Sequence, residues 1–95
     1  RRIKLRDLHI LLAVARTGSM GKAAGELAIT QPVISKTIAD LEQAIGLPLF
    51  DRSPYGVEPT SYGRAMITCG LSVFDDLRRG VQELEFLLRQ KLQTI

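Results

Sequence analysis

The sequence predicts a mainly α-helical domain with one small two-stranded β-hairpin and a long C-terminal helix. Three observations predict it. Apolar residues recur at helical spacing through residues 8–15 and 34–45. That spacing fails from Leu47 to Thr60, where Leu49-Phe50 and Val57 flank the turn-forming run Ser53-Pro54-Tyr55-Gly56. Beyond it, Ile67, Phe74, Val81 and Leu88 stand seven residues apart.

The composition bounds what such a domain does. At 95 residues the chain is one domain's worth. Its 45% hydrophobic and 24% charged content is that of a globular protein and excludes a disordered tail. No run of about eighteen uninterrupted apolar residues is present, so no membrane helix and no membrane partner are expected. The start, Arg1-Arg2-Ile3-Lys4, is basic but leads into Asp7 and His9 without a cleavage site, so no signal peptide is expected there. The missing initiator Met is expected of a trimmed chain. The single Cys69 cannot form an internal disulfide and fits a reducing cytoplasm.

Thirteen Lys and Arg against ten Asp and Glu give a net charge of +3. The whole surplus lies in residues 1–64, because residues 65–95 hold four of each sign. A basic bias of this size permits binding to a polyanion without establishing it.

The elements follow in order. Leu8, Leu11, Leu12 and Ala15 form one apolar face of a first helix, and Ile10 and Val14 form a second, so this helix must be covered twice. Thr17-Gly18 ends it, with Gly18 free to take the left-handed cap. Ser19 supplies an N-cap for a short helix to about Ala28, whose Ala23, Ala24 and Gly25 admit a close neighbour. Thr30 caps a third helix, with Pro32 tolerated in its first turn. Ile34, Ile38, Leu41 and Ile45 make its inner stripe, leaving Pro32, Lys36, Ala39 and Gln43 outermost, flanked by Ser35. Gly46 closes it. The hairpin comes next and needs packing on the helices to be stable.

Thr60 or Ser61 then caps a last helix reaching about residue 91, roughly 45 Å long, more than a small domain needs. Gly70, Leu77 and Leu84 fall three residues after Ile67, Phe74 and Val81, making an a/d seam over three heptads. A second copy of the chain is the expected partner for Ile67, Phe74, Leu77, Val81, Leu84 and Leu88.

Two short helices joined tightly, the second with a polar outward face, make a helix-turn-helix candidate, and the hairpin makes it winged. In that arrangement the second helix enters the major groove of double-stranded DNA. Gln31 can pair with adenine, and Lys36 can donate to guanine or to a phosphate. Ser35 and Thr30 can bond phosphates or bases, Lys22 can reach a phosphate, and Pro32 shapes the first turn. Arg52 lies on the hairpin, within reach of an adjacent phosphate or minor groove. Spacing alone leaves an inert core of the same geometry as an alternative.

At these residues the chain resembles a known family. Ala23-Ala24-x-x-Leu27, Gln31-Pro32-x-Ile34-Ser35-Lys36-x-Ile38-x-x-Leu41-Glu42 and Gly46-x-x-Leu49-Phe50-x-Arg52 closely resemble the LysR-type transcriptional regulators. The likeness continues through Thr60-x-x-Gly63-Arg64 and covers nearly the whole chain. It implies a winged helix-turn-helix over residues 1–60 and a linker helix over 61–95 that pairs two chains, with antiparallel helices, into a homodimer or higher homo-oligomer. It also implies bacterial origin, an interrupted inverted repeat as the target, and an effector-binding domain that this chain lacks. RNA polymerase is a partner open to the full-length protein. Gln31, Pro32, Ser35 and Lys36 fall on the family's recognition helix and Arg52 on its wing. The sequence departs from the family at Lys36, where Arg is commoner, and over Pro59–Gly63.

No catalytic constellation is legible, and no cofactor is expected. His9 has no Cys or His at ligand spacing, so no metal is expected. Asp75, Asp76, Glu83 and Glu85 share a charge-balanced helix with Arg78, Arg79 and Arg89, as a solvated face does. Two rivals remain: the DNA-binding piece of a transposase or recombinase, and a winged-helix module for protein interaction.

Overall fold

The computed structural model describes residues 2–94. Four helices and one hairpin follow in order: α1 (Leu5–Thr17), α2 (Met20–Leu27), α3 (Gln31–Ile45), β1 (Phe50–Ser53), β2 (Gly56–Pro59) and α4 (Ser61–Gln93). Helix α1 is the central element. Its Leu8, Ile10, Leu11, Ala13 and Val14 are buried, because α2 and α3 cover one side while α4 and β2 cover another. Both apolar faces read from the sequence are thus used. The Lys4 N–H donates to the Asp7 carboxylate at 3.0 Å, which satisfies one donor at the start of α1. Gly18 ends α1 in the left-handed region at φ +69°, its N–H bonded to the Val14 carbonyl.

Ser19 caps α2 as expected, accepting the Lys22 N–H at 3.2 Å. Ala23 and Ala24 are buried, but a Cβ on Gly25 would meet nothing within 4 Å, so Gly25 is not the site of close approach. Ala28 closes the helix at φ +57°, an αL cap without glycine, at a cost of about 1–2 kcal/mol. Arg16 bridges the ends of α1 and α2, donating through Nη1 to Glu26 Oε1 at 2.7 Å and through Nη2 to Oε2. These hydrogen bonds hold the Glu26 carboxyl below the usual carboxylate range and push the Arg16 guanidinium further up.

Thr30 occupies the N-cap position of α3, yet its hydroxyl makes no capping bond. The reason is local. A cap oxygen accepts from the second or third helical N–H, and the second residue here is Pro32, which has none. Ile34, Ile38 and Leu41 face inward and share the core with Ile10, Leu11, Val14 and Leu49. Burial of each large side chain there contributes about 1.5–3 kcal/mol.

The hairpin pairs Phe50 with Pro59, Asp51 with Glu58, Arg52 with Val57 and Ser53 with Gly56. Neither Pro54 nor Tyr55 has a positive φ, so the primed hairpin turns are excluded and a type I turn fits. The positive φ falls on Gly56, at +129°, where a Cβ would lie 2.5 Å from the Gly18 carbonyl oxygen. The next residue, Val57, donates its N–H to that same oxygen at 3.0 Å. The wing is thereby held against the turn between α1 and α2.

Thr60 caps α4, accepting the Gly63 N–H at 3.1 Å and donating its hydroxyl to the Pro48 carbonyl at 2.6 Å. A Cβ on Gly63 would sit 2.0 Å from the Leu49 carbonyl oxygen, so only glycine fits. The 33 residues of α4 span about 50 Å. Its first turns lie on α1: Ile67 packs on the core, Gly70 meets Leu12, and Phe74 meets His9 edge-on with ring centroids 6.0 Å apart. Farther along, Leu77, Val81, Leu84 and Leu88 stand exposed. The seam read from the sequence thus has two parts, one seated within the protomer and one left open.

Candidate nucleic-acid interface

The first two turns of α3 bring together most of the residues singled out from the sequence. Thr30, Gln31, Pro32 and Lys36 are exposed, and Ser35 is half-buried. This follows from the inner stripe: with Ile34 and Ile38 facing the core, positions 32 and 36 face away from it. Gln31 is less free than its exposure implies. A Cβ on Gly21 would lie 3.4 Å from Gln31 Oε1, so the amide rests beside α2, and glycine makes room for it. Lys36 is ion-paired: its Nζ lies 2.9 Å from Asp40 Oδ2.

Lys22 is exposed on α2. Together with Ser19, Ser53, Tyr55 and Glu58 it lines an open cleft of about 630 Å³ between the α1–α2 turn and the wing. Arg52 is exposed on β1, opposite Val57, and makes no ion pair with Asp51, Glu58 or any other carboxylate among the described residues. Asp51 and Glu58 pair across the two strands, so their carboxylates share one face of the wing and Arg52 lies on the other.

Two residues escaped the sequence reading. Glu42 Oε2 accepts the N–H groups of Leu49 and Phe50 at 2.7 and 3.3 Å, tying α3 to the root of the wing. No local spacing announces a contact between a helix residue and a segment seven positions on. Asp40 was legible, standing four residues after Lys36 at ion-pair spacing.

Elsewhere, Asp75 pairs with Arg78 at 2.8 Å and Asp76 with Arg79, all four exposed on α4. Cys69 is exposed on the same helix. No group of three metal-ligating side chains occurs among the described residues, and no helix among them is long and apolar enough to cross a membrane.

Residues 5–64 match the family model described as a bacterial regulatory helix-turn-helix protein of the lysR family. The chain belongs to the LysR family. The match runs from the first residue of α1 to the first turn of α4, so it takes in the whole helix-turn-helix and the wing. The HTH-type transcriptional regulator GbpR of Azospirillum brasilense is 38% identical over 87 residues, covering 92% of this chain and 25% of GbpR. The chain thus spans about a quarter of the length of that relative. The crystal structure of the CbnR DNA-binding domain in complex with DNA superposes with a TM-score of 0.81 at 30% identity, covering 87% of this chain and 95% of that one. The BenM DNA-binding domain on its catB site 1 DNA gives 0.84 at 28% identity, covering 90% and 96%. The fold of this LysR chain is the winged helix-turn-helix with a long C-terminal helix. Its relatives are transcriptional regulators, not transposases, recombinases or other enzymes.

Proposed function

We propose that this LysR chain is the sequence-specific DNA-binding portion of a transcriptional regulator that works in the cytoplasm as a homodimer. Residues 1–60 form the DNA-binding unit, and residues 61–95 form the linker helix that pairs two copies. The observation that carries this reading is the match of nearly the whole chain to DNA-binding domains solved on DNA. The exposed polar face of α3 supports it. An interaction module would offer an apolar or acidic face at that place.

In this reading the start of α3 enters the major groove. Gln31 reads a base edge with its amide, while Ser35 and Thr30 bond phosphates or bases nearby. Pro32 sets the backbone of the first turn. Lys36, Lys22 and Arg52 neutralise phosphates and fix the register of the protein on the duplex. One recognition helix covers only a few base pairs, so two copies joined through α4 read an interrupted inverted repeat. In a full-length regulator the same dimer would present itself to RNA polymerase.

Selection of bound duplexes from a random pool tests the proposal. Enrichment of a two-fold symmetric, interrupted site is expected. Gln31→Ala should then relax one base position in each half-site, at a cost of about 1–3 kcal/mol on the selected duplex. A pool that stays random after repeated rounds overturns the reading.

A further inference from the structure

The outward face of α3 is electrically neutral. Lys36 is its only cation, and Asp40 holds that cation at 2.9 Å with both side chains open to solvent, at 76% and 59%. At 3.6 residues per turn, Asp40 stands about 40° around the helix from Lys36 and far from the stripe of Ile34, Ile38 and Leu41. The other carboxylate of the helix, Glu42, is turned toward Leu49 and Phe50. Asp40 is therefore the one anion that α3 would carry toward a polyanion.

We propose that Asp40 is a specificity-determining residue that acts by positioning Lys36, an inference that rests on the DNA-binding reading. In the free chain the pair withholds Lys36 from phosphates. Docking on DNA of any sequence must open the pair and bring a carboxylate toward the backbone, which is unfavourable everywhere. Only some sequences compensate. The amino groups of cytosine and adenine in the major groove can donate to a freed Asp40 oxygen, whereas the guanine O6 and thymine O4 acceptors cannot. Discrimination thus comes from a repulsive element added to the attractive contacts of Gln31 and Ser35.

The test compares wild type, Asp40→Asn, Lys36→Gln and the double variant by fluorescence anisotropy. The probes are a mixed-sequence duplex and a duplex recovered by selection. Asp40→Asn should tighten binding to mixed-sequence DNA by about three- to tenfold and steepen the salt slope by about 1. The selected duplex should gain less, so the ratio between the two falls. Asp40→Glu, which keeps the pair, should keep the wild-type slope. In the Lys36→Gln background the Asp40 substitution should leave the slope unchanged.

An Asp40→Asn chain with wild-type affinity on mixed-sequence DNA overturns the proposal. So does an equal steepening without Lys36, which would reduce the effect to net charge. Weaker binding of Asp40→Asn to both probes overturns it as well. Failure of the wild type to bind either duplex refutes the DNA-binding reading itself, and the role of Asp40 falls with it.

Discussion

The Glu42 carboxylate accepts the backbone N–H of Leu49 at 2.7 Å, and through this bond the recognition helix holds the root of the wing. Leu49 is fully buried, and the Phe50 N–H shares the same oxygen at 3.3 Å. Glu42→Ala would leave both donors without a partner, at an expected cost of about 1–3 kcal/mol. Glu42→Gln keeps an acceptor and should lose less. Urea unfolding of the three proteins decides, and an alanine variant as stable as wild type would mean that the wing is held by other contacts.

Two glycines of α4 should respond to alanine with opposite signs. At Gly63 the new Cβ would meet the Leu49 carbonyl oxygen at 2.0 Å. Backbone cannot move aside cheaply, so a loss of about 3 kcal/mol or more is expected. At Gly80 the Cβ would enter open space, and the helix should gain up to about 1 kcal/mol. Thermal unfolding of both variants measures the contrast. Equal shifts would refute the close approach of α4 to Leu49.

The Arg16–Glu26 bridge makes a small part of stability dependent on pH. Hydrogen bonds from Arg16 lower the Glu26 pKa in the folded chain. Its contribution is therefore present above the unfolded-state carboxylate value and is lost as pH falls through the folded one. Glu26→Gln should be less stable than wild type at neutral pH, with the gap closing in acid and narrowing at high salt. A gap that stays constant from neutral to acidic pH would contradict this assignment.

Much of the fold was legible because it rests on periodicity. The stripe Ile34, Ile38, Leu41 set the orientation of α3, and with it the exposure of Pro32 and Lys36. Ser19 and Gly18 capped as their chemistry dictates. What stayed hidden needed three dimensions. The Thr30 hydroxyl lost its capping role to the missing N–H of Pro32. Gly25 was read as a packing glycine, whereas Gly63 and Gly70 are the ones that admit a neighbour. The heptad pattern ran unbroken from Ile67 to Leu88 because helical spacing records which face is apolar, not which molecule covers it.

The open part of that seam carries a prediction about assembly. Leu77, Val81, Leu84 and Leu88 are all exposed in the protomer, with Leu84 at 68%. If a second α4 covers them, Leu77→Asp places a carboxylate in an apolar contact without a partner, and pairing should weaken by several kcal/mol or fail. Its circular dichroism should remain helical. Glu83→Gln, on the outer face, should change neither. Sedimentation reads the result: a monomeric wild type at tens of micromolar, or a dimeric Leu77→Asp chain, would contradict pairing through this stripe.

The central claim is that the surface of α3 and the wing binds the phosphate backbone of DNA, and the salt dependence of binding tests it most directly. With about four to six phosphates neutralised per dimer, log affinity should fall against log salt with a slope of about −4 to −5. Lys36→Ala and Arg52→Ala should each flatten that slope by about 1 and weaken selected and mixed-sequence duplexes alike. Affinity that stays flat from low to physiological salt, or slopes unmoved by both substitutions, would contradict recognition of DNA by this face.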